Sequence, residues 1–529
     1  MNDDSDYVPN TETENETETD TDLEILEDDY QLDQRRFEPG KSPFELFNGI
    51  DRQRSRATSL CGFIDDESET SECDQHDMYS IDTHSSPISL FDVDDEDYCC
   101  IIEDMYLEFD AYYESNILHM SSPKFYIVMI EYITELYHTY WNEIQICDED
   151  DYDDVYELVE QIYDTYVIFS GIPKRSIPID DVIVASGLSG CGVVVVVVDS
   201  GVIRQKICHL QNIPQPAQRT PEWYEFRNNL ISASNLWKVF GTESQINSII
   251  YEKCRPIAEQ FSYASFSNNT EGSMHWGVKY EPVSAMLYES MYNTKLGEFG
   301  CIQHPKYPFI GASPDGINID ETNSERYGRM VEIKNIFNRE ITGIPKQEYW
   351  IQTQIQMETC DLDECDFVET RFKEYVDERS FYEDDEHIYK GVILAFHHIT
   401  TSSGATIYRY MPLNAIRDKE SVDEWIYNTC EKCREEGISL FSVAYWYLDC
   451  ISCVLIQRNR RWFDAAIPVI KKTWKVIEIE RKTGYTHRAP ASSMKQDKNK
   501  ISVNVDLSNS YLIRNMPAAN SICLVKLDF

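Results

Sequence analysis

A mixed α/β (α+β) fold, with a mixed central sheet flanked by helices and a disordered acidic N-terminal arm ahead of it, is what this sequence predicts, on three observations. Short apolar and β-branched runs at Phe367–Phe372, Gly391–His398 and Ala405–Met411 have the length and composition of strands. Stripes at helical spacing lie between or beside such runs, as in Trp276, Tyr280, Val283, Leu287 and Met291. The formal charge of −46 is unevenly spread: residues 1–200 hold 50 acidic and 9 basic residues, and the rest of the chain 43 and 38. A polyanion could not approach a uniformly acidic chain, because nucleic-acid binding rests on neutralising phosphates, but the balanced C-terminal portion removes that objection.

In chain order, residues 1–110 read as a disordered acidic arm. A stretch such as TETENETETDTD cannot bury enough apolar surface to offset its chain entropy. A DNA-mimicking or partner-binding arm is the functional alternative, and the basic island Arg52, Arg54 and Arg56 reads as a solvated loop or a partner for that arm. Residues 111–205 read as a small helical and strand region: Tyr126, Ile127, Met129, Ile130, Ile133 and Tyr137 are helically spaced, as are Val155, Leu158, Val159 and Ile162. The six valines Val193–Val198, preceded by Val182-Ile183-Val184, read as a buried strand, because the apolar stretch falls short of the roughly 20 residues a membrane span needs. Gly187, Gly190 and Gly192 lack the Lys-Ser/Thr of a phosphate loop. No signal peptide is expected, so the protein is placed inside the cell with reduced thiols and no membrane. Residues 206–415 form the expected core, 416–490 its helix and strand extension, and 491–529 a polar tail.

The densest chemistry lies between Phe309 and Lys334. An apolar run, Phe309-Ile310, leads into the turn Ser313-Pro314-Asp315-Gly316, and a second strand ends in Glu332-Ile333-Lys334. Residues two apart on a strand share a face, so Glu332 and Lys334 project together. A hairpin brings Asp315 back beside them. Two carboxylates and an ammonium suit a hydrated Mg2+ next to a water being deprotonated. Glu-x-Lys alone is often a solvated strand face; the preceding aspartate turn distinguishes it from Glu480-Arg481-Lys482, which has none.

These residues resemble the PD-(D/E)-x-K nuclease superfamily and, within it, the branch of YqaJ-type viral recombinases and lambda exonuclease. Three flanking blocks narrow the match over roughly residues 219–360. Trp223-Tyr224-Glu225-Phe226-Arg227, followed by Ile231-Ser232-Ala233-Ser234, is similar to the family's opening motif. His275-Trp276-Gly277-x-x-Tyr280-Glu281-Pro282 is similar to its helix-borne glutamate. The run from Tyr349 through Gln352 and Gln354 to Gln356 is similar to its Y-x-x-Q-x-Q helix.

The resemblance implies a restriction-endonuclease-like core and a metal-dependent deoxyribonuclease, a 5'-to-3' exonuclease on double-stranded DNA ends that acts in viral recombination, repair or replication. It implies that Asp315, Glu332 and the Ile333 carbonyl hold Mg2+, with Mn2+ as a substitute, and that Glu281 holds a second metal or its water. Lys334 then orients or deprotonates the nucleophile, and Tyr349 and Gln352 buttress the water or scissile phosphate. Arg227 and Ser234, with Ser232 as alternative, take the 5'-phosphate; both serines also suit a helix N-cap. Duplex DNA ends, a single-strand annealing protein and a homo-oligomer, a trimer by resemblance, are the implied partners. The implied source is a large DNA virus and the setting the host cytoplasm or nucleus. Two rival readings remain at this level: an inert nuclease fold that binds or packages DNA, and an acidic interaction scaffold. Cys430, Cys433, Cys450 and Cys453 have the spacing of a zinc site, but the second pair lies in a strand-like stretch where residues three apart face opposite ways, so core thiols are expected.

Overall fold

Apolar side chains one helical turn apart place a helix earlier in the chain than its charge implies. Met105, Phe109 and Tyr113 are all buried, and helix α1 (Asp95–Asn116) runs across the boundary expected at residue 110. This computed structural model describes residues 95–178, 200–216, 220–257, 273–398, 406–416 and 418–489. The arginine island, the valine run with its flanking glycines, and the tail from Ala491 lie outside the described residues.

Helices α2 (Phe125–Glu143) and α3 (Tyr152–Ser170) pack with α1 and with each other, and Met129, Ile130, Ile133, Val155, Val159 and Ile162 share one buried cluster. The chain continues through β1 (Ile177–Pro178) and α4 (Ser200–Asn212) to α5 (Pro221–Asn228), where Thr220 caps the helix by accepting from Trp223 N and Pro221 occupies the first turn. Next come β2 (Ile231–Ser232), α6 (Ala233–Leu236), α7 (Glu243–Cys254) and α8 (Ser273–Tyr292), which runs through Pro282. Short strands β3 (Leu296–Gly297), β4 (Ile302–Gln303), β5 (Ile310–Ala312) and β6 (Gly316–Asn318) precede β7 (Met330–Asn335), α9 (Gln347–Cys360) and β8 (Glu364–Glu374). The described chain closes with α10 (Glu378–Glu383), β9 (Lys390–His398), β10 (Ile407–Tyr410), α11 (Lys419–Glu435), the 20-residue β11 (Ile438–Gln457) and α12 (Arg460–Thr483).

The expected mixed sheet is present. Its order is β10-β9-β11-β8-β7-β6-β3, with β1 also paired to β11, and a second sheet runs β2-β5-β4. Only β7 and β8 pair in parallel within the large sheet, and α9 is the crossover that such a pair requires. Helix α8 covers one face of this pair, where Ala285 and Tyr288 pack on Val331, Ile333 and Val368. Helix α9 covers the other, and Tyr349 stacks on Phe367 at 5.7 Å.

A single hydrophobic cluster extends from Met105 through Trp350 and Trp462 to Ile477. The helical bundle and α12 therefore share a core with the sheet instead of forming separate units. Polar contacts reinforce that joint: Trp462 Nε1 donates to the Leu118 carbonyl at 3.4 Å, and Arg175 donates to the carbonyls of Ser121 and Pro345.

The cysteine pairs are kept apart. Cys433 packs with Phe381, Val392 and Val422, whereas Cys453 borders the cluster of Tyr288, Val331 and Val368. Cys450 and Cys453 sit opposite Arg371 and Val368, on opposite faces of the sheet.

Candidate active site

The turn that carries Asp315 bridges the two sheets: β5 belongs to the small one and β6 to the large one. Strand β6 begins opposite Val331, so the β6 edge of β7 has no ladder partner further along. Asp315 occupies that position, and its Oδ2 accepts the Ile333 amide proton at 2.7 Å. In a strand the N–H and C=O of one residue point to the same edge, which aims the Ile333 carbonyl toward the Asp315 side.

Glu332 faces α9 and is 1% exposed. Burial of a carboxylate is tolerable only with hydrogen-bond donors, and α9 supplies them from one face. Gln352 Nε2 donates to Glu332 Oε1 at 2.7 Å, and Gln356 Nε2 donates to Oε2 at 2.7 Å and to the Ser313 carbonyl at 3.2 Å. Lys334 Nζ lies 2.9 Å from Glu332 Oε1, donates to Gln352 Oε1 at 3.3 Å, and sits 4.8 Å from the Tyr349 ring centroid. Asp315, Glu332, Lys334, Tyr349 and Gln352 are thus brought together. Gln356 was not among the expected site residues, although its spacing of four from Gln352 placed it on the same helical face. Gln354 points elsewhere, donating to the Gln457 carbonyl and accepting from Asn459 N.

The local field is negative. Cys365, buried on β8 in register with Met330, has its thiol pushed well up by burial, with the charges of Glu332, Asp366 and Asp315 adding to the effect. Half-buried Glu281 lies on α8, on the helix face that includes Gly277 and Ser284. Those two residues meet Asn335 just beyond Lys334: Ser284 Oγ donates to Asn335 Oδ1 at 2.7 Å, and Asn335 Nδ2 donates to the Gly277 carbonyl at 3.3 Å. Glu281 is not gathered with Asp315 and Glu332 into one tight cluster, since among the described residues no three His, Cys, Asp or Glu side chains converge to hold a metal ion.

A second polar group forms where α5 meets β2. Arg227 is buried with its guanidinium 4.7 Å from the Trp223 ring centroid, and its Nη2 donates to Ser232 Oγ at 3.3 Å; Ser234 Oγ lies 3.4 Å from Ser232 Oγ. Ser232 stands at the N-cap position of α6, yet its side chain makes no capping bond. Strand β2 runs parallel to β5, with Ser232 opposite Gly311, four residues before Asp315. The two groups are therefore separated by a short stretch of one strand and its turn.

Comparison with known proteins adds three findings. Residues 222–363 match the model of the YqaJ-like viral recombinase domain, a stretch that includes Arg227, Ser232, Ser234, Glu281, Asp315, Glu332, Lys334, Tyr349, Gln352 and Gln356. Protein R354 of Acanthamoeba polyphaga mimivirus, itself uncharacterized, is 27% identical over 310 residues; the match covers 51% of this chain and only about half, 54%, of that relative. Among solved structures, the alkaline exonuclease LHK-Exo of Laribacter hongkongensis is 18% identical with a TM-score of 0.29, covering 53% of this chain and 99% of its own. A phage-related exonuclease from Haemophilus somnus is 15% identical with a TM-score of 0.26, covering 47% and 93%.

Proposed function

We propose that this chain, which carries a YqaJ-like viral recombinase domain, is a metal-dependent deoxyribonuclease that digests duplex DNA from its ends in the 5'-to-3' direction. The observation that carries this reading is that Lys334 meets Glu332, a buried carboxylate held by two amides, while Asp315 binds the amide of Ile333 between them.

The donor set fits Mg2+, with Mn2+ as a substitute. Asp315, Glu332 and the Ile333 carbonyl are hard oxygen donors, and Mg2+ is commonly held by one or two carboxylates with water filling the rest. Glu332 Oε1 receives two donors, whereas Oε2 receives Gln356 and keeps a lone pair. When bound, the ion polarises the phosphodiester and acidifies a water molecule. The protein's own groups do the rest. Gln352 and Gln356 hold the Glu332 carboxylate in one orientation, as partners of ligating carboxylates do. Lys334 points an ammonium at the same place, where it orients the attacking water or, at raised pH, takes its proton. Tyr349 packs under that ammonium. Glu281, on the α8 face that meets Asn335, serves a second ion or its water. Arg227, Ser232 and Ser234 offer hydrogen-bond donors to a terminal 5'-phosphate, a group that a guanidinium binds through two parallel bonds.

The test is nucleotide release from linear and from closed-circular duplex DNA, with Mg2+ and with a chelator. Release from the linear form alone, only with metal, is expected. Cleavage of the closed circle would replace the end-directed reading by an endonuclease, and DNA binding without any cleavage would leave an inert fold.

A further inference from the structure

Beyond the catalytic cluster the same face of the sheet carries a row of charged residues that none of the roles above uses. The parallel register sets Glu332 opposite Phe367 and Lys334 opposite Glu369, so Glu369, Arg371 and Lys373 continue along β8 on the face of the reactive residues. Side chains on one strand face repeat every roughly 6.6 Å, so the row extends outward past the end of β7. It is organised by hydrogen bonds. Arg339, from the loop after β7, pairs with Glu369, and Arg371 Nη1 donates to the Arg339 carbonyl at 3.3 Å.

Arg371 and Lys373 share one carboxylate. Asp449 Oδ2 accepts from Arg371 Nε and its Oδ1 from Lys373 Nζ, both at 2.5 Å. Asp449 is the extra residue of a β-bulge: Leu448 pairs with Phe372 and Cys450 with Arg371, leaving Asp449 out of the ladder. A bulge re-aims a side chain at the expense of a strand bond. Exposure rises outward along this group, from Asp449 at 16% through Arg371 at 29% to Lys373 at 54%. What the bulge achieves is two cations locked side by side around one anion, with a surplus positive charge and N–H donors left to face solvent.

We infer that Arg371 and Lys373, held by Asp449, form a phosphate track that grips the sugar-phosphate backbone of the DNA strand leading away from the reactive cluster. This inference rests on the nuclease reading for its substrate. The chemistry it requires is that of a polyanion with regularly spaced phosphates, since a single small anion would occupy only one end of the row.

The experiment measures binding of a 5'-phosphorylated duplex to the full chain, in chelator, as salt is raised. Each phosphate contact contributes about 0.9 to the slope of log affinity against log salt on duplex DNA. Lys373→Gln is expected to lower the slope by about 0.9 and Arg371→Gln with Lys373→Gln by about 1.8, while Arg379→Gln, an 81% exposed arginine on α10, leaves it unchanged. In Mg2+ the track variants raise KM and keep kcat. Lys373 is 54% exposed, so its single variant decides the matter should the double variant fail to fold. Unchanged slopes in the track variants, or an equal drop in Arg379→Gln, overturn the track. If the wild type still cleaves in that case, the nuclease reading survives; a wild type that binds with the expected slopes but does not cleave overturns the nuclease reading and keeps the track. A wild type that does neither overturns both.

Discussion

Two buried carboxylates sit on neighbouring strands of this protein, on opposite faces of one sheet. Asp366, opposite Val331, is 0% exposed and is enclosed by cations. It pairs with Arg326, accepts from Arg329 Nη1 at 3.1 Å, and accepts from the Tyr288 hydroxyl at 2.5 Å; Arg329 also reaches Glu364 at 2.9 Å. Glu332, one residue on and facing α9, is met by two neutral amides and a single ammonium. The first carboxylate has its charge cancelled by guanidinium groups and has become scaffold. The second is oriented but not neutralised to the same degree. Burial by itself does not distinguish the two carboxylates; the charge of their partners does.

The sharpest way to break this comparison is to neutralise one carboxylate on each face. Asp366→Asn leaves Arg326 and Arg329 buried with less countercharge, a change that costs about 3–5 kcal/mol of stability, so the thermal midpoint falls while the folded fraction still cleaves DNA. Asp315→Asn keeps an oxygen for the Ile333 amide, so the fold holds and cleavage is abolished. An active Asp315→Asn, or an Asp366→Asn variant as stable as the wild type, would remove the distinction between the two faces.

Removing the amides sharpens it. Gln356→Ala is expected to reduce activity about 10- to 100-fold and to raise the Mg2+ concentration for half-activity, because the partners of a ligating carboxylate set its orientation. Restoration of rate by excess Mg2+ separates this from a packing defect.

Arg227 is the cationic counterpart of Glu332, a buried charge whose neighbours include a serine hydroxyl and an indole. Arg227→Ala should cost about 1.5–3 kcal/mol on 5'-phosphorylated ends relative to 5'-hydroxyl ends, as loss of one charge-assisted contact does. Equal rates on both ends in the wild type would remove the phosphate-reading role.

The last effect concerns a buried base. His304 Nδ1 accepts from the Lys306 and Tyr307 amides at 3.1 and 3.3 Å, which only an unprotonated nitrogen can do. Burial, with Arg458 and Lys306 nearby, lowers its pKa to about 4 from the ordinary 6.5. The unfolded chain therefore binds the extra proton first, and stability falls as pH is lowered from about 6.5 to about 4. Thermal melts across that range should show a slope that His304→Asn flattens.

Much of this was legible in the residues. The alternation of Glu332, Ile333 and Lys334 needed only the two-residue period of a strand, and the Ser313–Gly316 turn announced itself through Pro and Gly. Tyr349, Gln352 and Gln356 share a face by helical spacing alone. The stripe at Met105, Phe109 and Tyr113 was also legible, but the acidic residues between those positions concealed it. Charge speaks to solubility and partners, whereas three buried side chains per helix face decide order.

Other features depend on which strands become neighbours. That Asp315 would meet the Ile333 amide follows from β6 beginning where it does, and that its turn would join two sheets follows from β2 and β4 flanking β5. The enclosure of Asp366 by Arg326 and Arg329, and the sharing of Asp449 by Arg371 and Lys373, unite residues about 40 and 80 positions apart. Spacing along a chain fixes which side chains share a face of one element. Which face meets which partner is set by strand order and register, and these arise only when the whole sheet closes over its core.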